Sequence, residues 1–365
     1  MSNSRLRHRL ALAFALPVSA FAQTFAPPTL TLPDSIMAPG TQMKWVKKVP
    51  QYCEGPAIDP TSGMAYFTEQ LSNSTLNWPI WRIDPAVASD TGSRWITASN
   101  QSNGLFVDGE GRVIAAQKGK VVRYKKDATV DAELATSGKT ATFNQSNDFS
   151  MGKDGSFFFT DLGTNIFYAD THGTTTIVAS GINNANGIEW LEDENILNVQ
   201  MAGGNRRYDV GANGALTNPR SFYTLNVGDG CEVDSHGNFY LADYGEGTVF
   251  VVNAAGTKVG SIAFNSQPSP YDARSGKQGN VDNCHFGGKD WKTLYCTGDG
   301  GMYSLDLKIP GRAWPQTGTT ALRPGPRLDL RPKAMKSFRA DGRWWKDGIP
   351  GRAEGPRLPS LLVTP

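Results

Sequence analysis

Apolar and polar positions along this chain alternate in short runs and keep no sustained helical period. Runs such as Phe157-Phe158-Phe159 and Phe239-Tyr240-Leu241 are bounded by turns such as Asp108-Gly109-Glu110-Gly111 and Lys153-Asp154-Gly155. That is the signature of short strands joined as hairpins. The pattern also recurs. Six segments open on an acid or amide, often followed by Gly, then pass through a turn into an apolar strand: Glu54–Glu69, Asn103–Gln117, Asn147–Asp161, Asn186–Gln200, Asp229–Asp243 and Asn283–Thr297. Their starts are 49, 44, 39, 43 and 54 residues apart, the length of one four-stranded propeller blade. A further strand follows each copy, for example Val121-Val122-Arg123-Tyr124 and Thr248-Val249-Phe250-Val251-Val252. The pattern predicts an all-β fold, a six-bladed β-propeller over residues 43–311, with a strand near Met43–Val49 closing the last blade. Residues 23–42 read as a linker into it.

Composition refines this picture at the two ends. The 365 residues carry a net charge of +2, but the charge is segregated. Residues 1–22 hold +3 and residues 312–365 hold +7, leaving −8 on the body. An acidic body excludes a nucleic-acid binder, whose affinity comes from neutralising phosphates, and suits a cation site. Arg5 to Arg9 precede the apolar run Leu10–Phe21, which is too short to span a bilayer. Ala20-Phe21-Ala22 has the small-residue form of a cleavage site, so residues 1–22 read as a signal peptide cleaved after Ala22. The expected product is exported, secreted or periplasmic, with no stable membrane insertion and a monomeric state. Residues 312–365, with 8 Pro and the basic excess, read as a disordered tail.

The first residues of the six repeats carry the candidate chemistry. They are Glu54, Asn103, Asn147, Asn186, Asp229 and Asn283, all oxygen donors. Asn-Gly and Asp-Gly are ordinary turn formers. Their recurrence at one repeat position instead predicts a ring around the propeller axis. Carboxylates and amide oxygens converging on one point suit a hard divalent cation, calcium first, whereas zinc recruits Cys or His. Zinc, manganese and magnesium stay as alternatives.

The segments resemble the SMP-30/gluconolactonase/regucalcin family of six-bladed propellers. The resemblance rests on Glu54-Gly55-Pro56, Asn147-Asp148 with Phe159-Thr160-Asp161, Asn186-Gly187-Ile188, and Asp229-Gly230 followed by Val233-Asp234-x-x-Gly237-Asn238-Phe239-Tyr240. It rests also on Phe286-Gly287-Gly288-Lys289-Asp290, and it spans about Trp45 to Gly311. It implies metal-dependent hydrolysis of a small lactone, with Glu54, Asn186 and Asp229 as metal ligands; on chemical grounds Asp229 is also expected to accept the proton of the attacking water, given suitable geometry. It implies that Asn147 touches the substrate or a metal-bound water; Asn103 and Asn283 are then second-ring candidates, and Asn103 and Asp148 are counted with Asn147 as expected substrate contacts. Gln145 stands where sugar-lactone enzymes of this family often carry Arg, and Cys231 where Met is usual.

Two other readings stay open, told apart by whether metal stabilises without turnover and by whether His285→Ala or Asp229→Asn has the larger effect. A non-catalytic calcium-holding propeller would present its rim to a ligand or protein. A strictosidine-synthase-like or paraoxonase-like enzyme would use His285. Cys53, Cys231, Cys284 and Cys296 read as structural thiols or disulfides, with Cys284 and Cys296 on the two strands of one hairpin.

Overall fold

A computed structural model of the chain describes residues 28–71, 77–264, 279–288 and 290–312. The predicted leader and the tail beyond Arg312 lie outside these residues. The expected all-β architecture is present as six blades of antiparallel strands. Blades two to four are plain four-stranded sheets, beginning with Leu105–Val107, Ser146–Met151 and Ile188–Leu191. Blade five begins with Gly228–Val233, and Thr29–Leu30 adds a fifth, outermost strand by pairing with Ile262 and Ala263. Leu32, Ile36 and Met37, which follow that strand, are buried in the same core. The described part of the segment before residue 43 thus packs onto the propeller.

Blades six and one share one continuous sheet because the strand Lys44–Ile58 belongs to both. Its first part pairs with residues 301–304 of Thr293–Asp306, and its second part with Ala65–Gln70. The ring is therefore closed by the strand predicted near Met43–Val49. Closure from the N-terminal side packs blade six against blade one, so the apolar faces of the two terminal blades cover each other.

Packing follows the blade count. Six apolar clusters are present among the described residues, one at each blade–blade contact. The contact between blades two and three is rich in phenylalanine: Phe106, Phe143, Phe149, Phe157, Phe159 and Phe167 are all buried there. Each such side chain contributes roughly 2–3 kcal/mol by leaving water. The hairpin turns read from the sequence are held by carboxylates. Asp108 Oδ1 accepts the N–H groups of Glu110 and Arg112, and Asp234 Oδ1 those of His236 and Asn238. Among the described residues no helix is long and apolar enough to cross a membrane.

Candidate functional site

Neighbouring innermost strands meet at glycine. Gly55, Gly104, Gly187 and Gly230 each follow a ring residue. A Cβ at these positions would overlap Asn103 O, Asp148 Oδ1, Asp229 O and Asn283 Cγ, respectively. Gly104, Gly187 and Gly230 lie outside the left-handed region. They serve close approach of one blade to the next rather than a turn. The contacts are sealed by Gly104 N–H donating to Asn147 O at 2.9 Å and Gly187 N–H donating to Asp229 O at 3.1 Å.

Carboxylates at the ends of the second strands aim the ring residues. Asp161 accepts the N–H groups of Asn144 and Gln145, just ahead of Asn147. Asp243 accepts those of Asn226 and Val227, just ahead of Asp229. Threonines link one blade to the next: Thr68 donates to Asn103 O, and Thr160 donates to Asn186 O at 2.7 Å.

Glu54, Asn103, Asn147, Asn186 and Asp229 come together on one cavity of about 340 Å³ at the mouth of the central channel. All five are buried at the level of the whole residue. Asn103 Oδ1, Asn147 Oδ1, Asn186 Oδ1 and Asp229 Oδ1 have no hydrogen-bond partner. The Asn186 amide beside the Asp229 carboxylate favours its charged form. Burial pushes the Glu54 and Asp229 carboxyl groups well above the usual carboxylate range, and neighbouring acids add to this. Asp229 raises Glu54, and Asp148 raises Asp229. Buried acids and orphaned oxygens facing one space form a site that calls for positive charge.

The sixth repeat-start residue does not join them. Asn283 Nδ2 donates to both oxygens of Asp148, at 3.2 and 2.9 Å, and its Oδ1 accepts the Cys284 N–H. Asp148 is thus held by Asn283 and lies outside the cavity lining, its carboxyl pushed up to about 7 by burial. Beside the ring stands Tyr52, whose hydroxyl lies 3.5 Å from Glu54 Oε1. Asp282, fully buried, raises the Tyr52 hydroxyl further above the range that burial alone sets. Gln70, Leu71, Leu162 and Tyr244 complete the wall. None of these was read from the sequence, because none occupies the repeated position.

A divalent cation fits the donor set. Among the described residues no group of three or more His, Cys, Asp or Glu side chains is arranged to hold a metal. The ring has two carboxylates, Glu54 and Asp229, so amide oxygens must supply its other donors. An all-oxygen set of this kind suits calcium. The four cysteines are free, buried thiols, raised by burial, and Cys284 and Cys296 face each other across the hairpin as an unbonded pair. His285 is also elsewhere. Its Nδ1 sits 2.8 Å from Glu232 Oε2, and it lines a separate small cavity beside Trp291.

Comparison with known proteins bears on this geometry. The sequence pattern of the SMP-30/gluconolactonase/LRE-like region matches residues 52–299. A lactonase, drp35, of Staphylococcus aureus is 30% identical over 145 residues, covering 35% of this chain and 45% of the relative. The chain therefore spans under half the length of this curated relative. Among solved structures, a gluconolactonase of Xanthomonas campestris superposes with a TM-score of 0.63 at 19% identity, over 77% of this chain and 95% of that one. Regucalcin of Agrobacterium tumefaciens, a calcium-binding protein, gives 0.59 at 18% identity, over 81% and 98%. At such identities the likeness establishes the fold. With two-thirds of its length inside the matched region and the same propeller around its channel, the chain belongs to the SMP-30/gluconolactonase/LRE-like family.

Proposed function

We propose that this protein hydrolyses a lactone with the aid of a divalent cation, calcium first, held by Glu54, Asn186 and Asp229. The observation that carries the reading is the cavity where two buried carboxylates and three amides converge with orphaned oxygens. The drp35 lactonase similarity over part of the chain supports it.

A bound divalent cation supplies Lewis acidity toward a carbonyl oxygen and toward water. The Asp229 carboxylate, steadied by the Asn186 amide, accepts the proton of the attacking water. The Asn147 and Asn103 amides orient the ester at the cavity wall. As the bond from acyl carbon to ring oxygen breaks, Asp229 returns the proton to that oxygen, leaving a hydroxy acid. Asp148, locked to Asn283, contributes negative potential behind Glu54 and Asp229 rather than a contact.

The test is hydrolysis of gluconolactone and simple lactones by purified protein, before and after chelation with EDTA. Turnover should vanish on chelation and return with added calcium. Activity that survives complete metal removal contradicts the reading. Chelation that lowers the melting temperature, with no lactone or ester turned over, would establish a calcium-holding, non-catalytic propeller instead.

A further inference from the structure

The mouth of the cavity carries three apolar or aromatic side chains. The residue directly after the second strand of blade one, three and five is Leu71, Leu162 and Tyr244. All three line the cavity. Leu162 is 46% exposed, one of only four large hydrophobic side chains so exposed among the described residues. An exposed leucine at the mouth of a buried polar site is a surface waiting for an apolar group. Tyr244 turns its ring edge-on to Tyr52, 6.2 Å between centroids, which makes one wall aromatic.

Charge and hydrogen-bonding capacity point the same way. Among the described lining residues there is no Lys, Arg or His. Lys118 holds the matching lip position of blade two but does not line the cavity. Gln145 is turned toward Gln101 O, so it offers nothing in place of a cation. Among the described residues at the mouth, Tyr52, Gln70 and Tyr244 carry groups that could meet substrate hydroxyls, and the Tyr52 hydroxyl already lies against Glu54. The orphaned ring oxygens that could take hydroxyls are those assigned to the cation and the ester, so a polyhydroxylated ring would find few further partners on the described lip, and an anionic one would meet an acidic wall.

Building on the hydrolase reading, we infer that the substrate is an uncharged lactone bearing an apolar substituent, an alkyl chain or aryl ring, that lies on the Leu71–Leu162–Tyr244 lip. The ring residues take the ester, and the lip takes the substituent.

The experiment compares kcat/KM for δ-decalactone, unsubstituted δ-valerolactone and gluconolactone in the wild type and in Leu162→Asp, with a melting curve to verify that the variant folds. Wild type should favour δ-decalactone over each of the others by about tenfold or more, and Leu162→Asp should collapse that ratio. Calorimetry with two unreactive lactams, one carrying a pentyl chain and one polyhydroxylated, separates this inference from the hydrolase reading. Preference for gluconolactone, or a ratio unchanged by Leu162→Asp, overturns the lip assignment while leaving hydrolysis intact. Tight, Leu162-dependent binding of the pentyl lactam without turnover of any lactone upholds the lip and rejects hydrolysis. If neither turnover nor lactam binding occurs, both fall.

Discussion

Asp229 carries two duties, support of a cation and movement of a proton, and its neighbourhood allows both. One oxygen is orphaned toward the cavity, and the Asn186 amide steadies the carboxylate. Asp229→Asn keeps the shape and removes the base. The fold should persist by circular dichroism while kcat falls about 10²–10⁴-fold, as for loss of a general base. Near-normal turnover would remove Asp229 from the chemistry. At this scale the sequence was informative where function repeats. Six oxygen donors at one repeat position announced the ring, and five of them line the cavity. It was silent where a side chain acts alone. Asn283 and Asp148 meet across 135 residues of sequence, and no local pattern encodes that pairing. Leu71, Leu162 and Tyr244 each read as one more apolar residue at a strand end.

At the scale of the element, the glycine after each of Glu54, Asn103, Asn186 and Asp229 decides how closely two inner strands approach. Gly187 has no room for a side chain, because a Cβ there would strike the backbone of Asp229 and Gly230. Gly187→Ala should cost about 1–3 kcal/mol of stability through overpacking. It should also weaken cation binding, because the displaced strand carries Asp229. A melting curve and a calcium titration check this together; an unchanged melting temperature would show that the strands can part at no cost. Sequence alone predicts a turn at an Asn-Gly pair, since close approach is invisible until the neighbouring blade is in place. The strands themselves were legible from alternation and turn chemistry, closing strand included. The two-residue edge strand Thr29–Leu30 is too short to leave a pattern.

For the whole molecule, closure and the charge on the axis set stability. Residues 44–48 join blade six to blade one, with Trp45 stacked on Tyr303 at 3.9 Å between centroids. A chain begun at Gln51 should lose its single cooperative calorimetric transition; retention of it would mean that the ring holds without its closing strand. The axis predicts a pH dependence as well. Glu54, Asp148 and Asp229 bind protons more tightly in the folded state than unfolded carboxyls do, because burial opposes their charge. Their contribution to stability is complete below the unfolded carboxyl range. It is lost as the pH rises, through about 7 for Asp148. The melting temperature of EDTA-treated protein should therefore fall from about pH 5 to about pH 8, with calcium recovering most at the upper end. A rise over that interval would contradict the charge balance drawn here.

The central claim is that Glu54, Asn186 and Asp229 share one cation. Calorimetric titration of chelator-treated protein with calcium tests it most directly, run beside Glu54→Gln and Asp229→Asn variants of verified fold. The account predicts one saturable site in the wild type, with protons released on binding, and loss of that site in each variant. Binding of equal strength in the variants, or none in the wild type, would contradict it.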